Sequence, residues 1–332
     1  MKNYGIRNFK YANVENFTSN TGIKLRRVIN PALRPILKLA TDGKICVTKK
    51  LSLEENQENK EEKYYPDLEK GKPYIFVSTH NFVEDSIANL ATIDRNVYLL
   101  FGTSDQLEVN KDMYFAWLNG FVYVDREDEK NRKEALQKLE RLLNAGTSVL
   151  IFPEGGFNNT ENLLCQKLFS SPYILAKKTG CEVVPIAPYN EFGKKEIYMK
   201  FADPIDLKEF SSKEEANLYL RDILSTLLYE NLLENAPHIK RSSLGKDPRM
   251  DYMIERAKEY QKTKWTKDVF DEELTRYLDK DDKELISLRE SIDKIEVTEK
   301  NAHILGPTLV RRKEDEKYNF NKFMHNNWNK KL

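Results

Sequence analysis

Between about Tyr74 and Asp203, short apolar runs alternate with segments of helical periodicity, and this alternation limits the possible folds more than any other feature of the chain. The runs Tyr74–Thr79, Asn96–Phe101, Phe121–Val124, Thr147–Phe152, Cys181–Ala187 and Glu196–Phe201 are predicted strands. Several are apolar along their whole length, the pattern of strands covered on both faces. Before Thr147, Leu136, Leu139 and Leu143 recur at helical spacing, Leu142 widens the stripe, and Gly146 stops the run. That is the pattern of a crossover helix packed on a sheet. A second helix is predicted at about Ser212–Glu234, where Ser212 and Glu215 have capping-box spacing and Leu220, Ile223, Leu224, Leu227 and Leu228 form an apolar stripe. The predicted fold class is α/β, a mostly parallel central sheet flanked by helices.

At 332 residues the chain exceeds what one core usually fills. Its texture predicts three parts: an N-terminal helical segment over 1–62, an α/β domain over 63–236, and a charged, mainly helical appendage over 237–332. Within the appendage, His303–Val310 is the one strand-like run, and Tyr318–Leu332 reads as a tail or small surface dock. Glu54–Lys63 is charged enough to be a solvent-exposed loop. A net charge of +1 argues against a nucleic-acid partner. The three cysteines, Cys46, Cys165 and Cys181, lack metal-type spacing and fit free thiols in a reducing compartment. No apolar run reaches the ~18–20 residues of a membrane span, and the first residues lack a signal-peptide core.

Ligands of open α/β sheets bind outside the carboxyl ends of the strands, so the residues just after each strand carry the functional information. His80 follows Tyr74–Thr79, Arg126 follows Phe121–Val124, and Glu154 with Gly155 follows Thr147–Phe152. In FVSTHNFVED, Asp85 stands five residues after His80, close enough to fix the tautomer of a histidine base, although such pairs also occur without function. Arg126 could clamp a phosphate through its planar fork or simply belong to the charged surface run Asp125–Lys130. The glycines of FPEGG would let a substrate approach the backbone, or would only turn the chain after Pro153.

Taken together and in order, these blocks resemble the glycerolphosphate and lysophospholipid acyltransferase family over about residues 70–205. His80 and Asp85 match its first block, Gly120, Phe121 and Arg126 its second, Phe152–Gly155 its third, and Val184–Ile186 its fourth. The resemblance implies acyl transfer from a thioester, acyl-CoA or acyl carrier protein, to a hydroxyl of a lysophospholipid such as lysophosphatidic acid, with no cofactor and no metal. It implies His80 as general base, Asp85 as its partner, and Arg126, Glu154, Gly155, Gly156 and Pro185 as the acceptor site. Gly156 departs from the hydroxyl residue of many members. A lipid-binding or scaffold protein on the same fold is the alternative. Hydrolysis is disfavoured by the lack of a Gly-x-Ser-x-Gly elbow.

A lipid product implies a membrane surface as partner and a cytoplasmic protein peripheral to the inner face. The candidate contact is Gly22–Leu39, which interleaves Leu25, Val28, Ile29, Leu33, Ile36 and Leu37 with Lys24, Arg26, Arg27, Arg34 and Lys38. A helix packed on the core with its basic face in water fits the same pattern. Pro31 and Pro35 are expected to break or kink it.

Overall fold

The computed structural model of the chain describes residues 18–41, 44–51, 64–82, 84–102, 119–125, 128–156, 158, 164–191 and 194–237. Seven strands form one sheet among these residues: β1 (Lys44–Val47), β2 (Ile75–Ser78), β3 (Val97–Phe101), β4 (Phe121–Tyr123), β5 (Ser148–Ile151), β6 (Val183–Asn190) and β7 (Glu196–Phe201). Their order is β1-β7-β6-β2-β5-β3-β4. The strands β6, β2, β5, β3 and β4 run parallel; β7 is antiparallel to β6, and β1 is parallel to β7. Among the described residues five α-helices flank the sheet: α1 (Asn20–Ala40), α2 (Asp85–Thr92), α3 (Glu129–Asn144), α4 (Ser171–Thr179) and α5 (Lys213–Asn235).

The unbroken apolar runs are explained by burial on both faces. In β2, Phe76 joins Leu150, Val184 and the α2 residues Ile87 and Leu90 on one face, whereas Ile75 and Val77 join Val149, Val183, Leu139, Leu175 and Leu220 on the other. The helices are closed by their own sequences. Asp128 caps α3 by accepting from the backbone N–H groups of Lys130 and Asn131, and Gly146 leaves it at φ +78°. Ser212 accepts from Glu215 N at the start of α5, but the Glu215 carboxylate reaches back to Ser211. Asn231 of α5 donates to the carbonyls of Ala187 and Tyr198, fastening α5 to β6 and β7.

Four expectations are modified. The segment assigned to an N-terminal helical part contributes β1, an edge strand too short and too mixed to stand out, and β6 continues past Ala187 to Asn190. Pro31 and Pro35 do not break α1. Both prolines are exposed, as is Arg27, so water can serve the carbonyls of residues 27 and 31 that lose their helical donors. Lastly, α1 does not present all its basic side chains to water. Arg26 is fully buried, with its guanidinium 4.5 Å over the Tyr98 ring and Nη2 donating to Asn96 Oδ1 and Asn119 Oδ1. Arg34 pairs with Asp94. The solvent face instead carries Leu25, Val28, Ile36 and Leu39 beside Lys24, Arg27 and Lys38. No helix among the described residues is long and apolar enough to cross a membrane. Residues 238–332, with the His303–Val310 and Tyr318–Leu332 readings and His238, His303 and His325, lie outside the described residues, as does the charged stretch Glu54–Lys63.

Candidate active site

Neighbouring strands β2 and β5 end side by side, and the residues following them meet. Thr79 continues the ladder by donating to Ile186 O, and the chain then leaves the sheet at His80, whose side chain is 15% exposed. Asp85 is the first residue of α2, where the positive end of the helix favours a carboxylate. Both of its oxygens lie 2.9 Å from His80 Nδ1, and Oδ2 also accepts from the N–H groups of Asn81 and Phe82 at 2.8 and 3.3 Å. The connection between strand and helix is therefore folded around one buried carboxylate whose acceptor sites are occupied. An ionised aspartate only accepts, so this contact places the imidazole proton on Nδ1 and the basic lone pair on Nε2.

The turn after β5 closes over the same histidine. The Phe152 ring stacks on the imidazole, with centroids 4.2 Å apart and planes inclined by 25°. Glu154 Oε1 accepts from His80 N at 3.1 Å, and Asn158 N donates to His80 O at 2.7 Å. Gly155 takes φ +78° and donates its N–H to Phe152 O, a conformation that needs glycine. Gly156 is buried beside it.

Glu154 is fully buried, and its second oxygen accepts from Gln166 N at 2.7 Å. Burial pushes this carboxyl up to about 8, against the opposing pull of the two N–H groups. Pro185 is also buried, within β6 and level with Val77 of β2, below the edge where His80 emerges. Arg126 lies outside the described residues. Among the described residues, no group of three or more His, Cys, Asp or Glu side chains is arranged to hold a metal ion.

The sequence reading missed the support around His80. Phe152 was visible only as part of FPEGG, and its aromatic ring beside a predicted strand end was the available signal. Asn158 and Gln166 act through main-chain N–H groups, which leave no trace in residue type.

Residues 53–188 match the family model described as Acyltransferase, a range that contains His80, Asp85, Arg126, Glu154, Gly155, Gly156 and Pro185. Over 117 residues the chain is 32% identical to a 1-acyl-sn-glycerol-3-phosphate acyltransferase of Chlamydomonas reinhardtii. That alignment covers 35% of this chain and 33% of the relative, so the chain spans about a third of the relative's length. The crystal structure of the 1-acyl-sn-glycerophosphate acyltransferase PlsC from Thermotoga maritima aligns with a TM-score of 0.46 at 19% identity, covering 68% of this chain and 88% of that one. With His80 and Glu154 placed after the carboxyl ends of the adjacent parallel strands β2 and β5, residues 53–188 of this chain are similar to the Acyltransferase family.

Proposed function

We propose that this protein transfers a fatty acyl group from an acyl thioester to the hydroxyl of a lysophospholipid, lysophosphatidic acid first among the candidates, in phospholipid synthesis. The observation that carries the proposal is the His80 imidazole held at Nδ1 by a buried Asp85, at the sheet edge of a domain similar to the Acyltransferase family. His80 Nε2 takes the proton of the acceptor hydroxyl as its oxygen attacks the thioester carbonyl. The new C–O bond forms, the C–S bond breaks, and the departing thiolate recovers the proton from the imidazolium. Acyl-CoA or acyl carrier protein serves as a substrate, and the step balances with no further cofactor. Gly155 and Gly156 leave room for the acceptor beside His80, Arg126 supplies the positive charge for its phosphate, and Pro185 shapes the neighbouring strand.

The reading includes a protein peripheral to the inner face of the membrane. Leu25, Val28, Ile36 and Leu39 lie on one side of α1 at helical spacing, Val28 and Leu39 being 78% and 85% exposed, with Lys24, Arg27 and Lys38 alongside. The helix lies along the opposite edge of the sheet from His80, because Arg26, Arg27 and Arg34 reach Asn96, Ala145 and Asp94, which precede β3, β5 and β3. It would therefore tether the protein rather than feed the site.

The test is transfer by purified protein from labelled acyl-CoA and acyl carrier protein to glycerol phosphate, lysophosphatidic acid and neutral lysolipids, beside a His80→Ala control. Transfer that needs His80 supports the proposal and names the acceptor. Folded protein without transfer to any acceptor would put the lipid-binding scaffold in its place.

A further inference from the structure

Phe152, Glu154 and Asn158, in and just after the turn that follows β5, all reach His80. Phe152 stacks on the ring, Asn158 N donates to the His80 carbonyl, and the Glu154 carboxyl accepts the His80 N–H. The same carboxyl accepts from Gln166 N, and the segment beyond it is held to the turn by Phe169 N donating to Pro153 O. Glu154 thus joins the histidine loop to residues 166–169 across the FPEGG turn, with neither oxygen exposed.

We propose that Glu154 is a positioning residue, which fixes the His80 main chain and through it the aim of Nε2, and that it does not bind the acceptor. Here the two N–H groups meet two separate acceptor oxygens. A carboxyl supplies them whether ionised or protonated, because a hydroxyl oxygen still accepts; the amide of glutamine supplies one and turns an NH₂ group against the other donor. Aspartate is one methylene too short to span both N–H groups. Phe152 acts in the same direction, its ring limiting rotation of the imidazole while Asp85 fixes the other coordinate. Reaction geometry is sensitive on this scale, since a displacement of about 1 Å can lower a rate about a hundredfold.

The proposal rests on His80 being the base, and the experiment separates the two. Steady-state transfer is measured for wild type, His80→Ala, Glu154→Gln and Phe152→Leu, with acceptor and donor varied independently and folding checked by far-UV circular dichroism. Positioning predicts that Glu154→Gln and Phe152→Leu lower kcat about ten- to a hundredfold and leave the acceptor KM within about twofold. An acceptor KM that rises in Glu154→Gln with kcat retained overturns the proposal and makes Glu154 a binding residue. If Glu154→Gln does not fold, Phe152→Leu decides, and an unchanged kcat there overturns it. Transfer that persists in His80→Ala fails the base assignment itself, a result separate from either of these.

Discussion

Gly120 opens β4 at φ +101°, and a Cβ placed there would stand 1.9 Å from Arg26 Nη1, 2.9 Å from Cζ and 3.0 Å from Tyr98 Cε1. An arginine end normally swings away from such a contact. Arg26 cannot do so without loss, because it is fully buried, stacked on Tyr98 and bonded to Asn96 and Asn119. Gly120→Ala therefore has two costs. The positive φ costs about 1–3 kcal/mol for a residue with a side chain. Displacing the guanidinium from its bonds and its ring costs about 2–3 kcal/mol more. Only the second depends on Arg26, so replacing Arg26 by Met, which keeps an apolar stem in the same space, removes it. Urea unfolding of wild type, Gly120→Ala, Arg26→Met and the double variant should give a coupling of about 2 kcal/mol or more, the glycine change being milder without the arginine. Strictly additive costs, within about 0.5 kcal/mol, would refute the fit of Arg26 against Gly120.

Asp85→Asn keeps the shape of the site but can present an NH₂ group to Nδ1, so kcat for acyl transfer should fall about 10²–10⁴-fold while the fold is retained. Glu154 also ties stability to pH. Its folded value of about 8 lies above the ordinary 4.5, so the folded chain holds the extra proton and the stabilisation, at most about 5 kcal/mol, is full below pH 4.5 and lost as pH rises through about 8. Denaturation of wild type across that window should steepen relative to Glu154→Gln by up to about 1.4 kcal/mol per pH unit, and parallel curves would contradict the buried carboxyl. On α1, changing Val28 and Leu39 to Asp should abolish sedimentation with anionic vesicles and leave unfolding unchanged, since both side chains face solvent; undiminished binding would remove the tether.

What could be read from the sequence was local. His80 and Asp85 are five residues apart, and a strand end followed by a helix start brings them together without help from the rest of the chain. The central strands announced themselves because both faces are covered, and the α3 stripe because Leu139, Leu142 and Leu143 point at one face. The contacts that could not be read are those whose partners are remote. Arg26 looked like part of a basic helix face, and its burial depends on Asn96, Tyr98 and Asn119, brought beneath it by the sheet. Glu154 has the residue type of an acceptor ligand, whereas the donors it meets are main-chain groups 74 and 12 residues away, which residue type does not reveal. β1 has only four residues and an exposed first position, and its strand character comes from pairing with β7.

The most direct test of the account is single-turnover acyl transfer from labelled acyl-CoA to lysophosphatidic acid by wild type and His80→Ala, each folded and at saturating substrate. With His80 as the base, the variant should be slower by about 10²–10⁴-fold. A rate in the variant equal to that of wild type would contradict the assignment of the His80–Asp85 pair to catalysis.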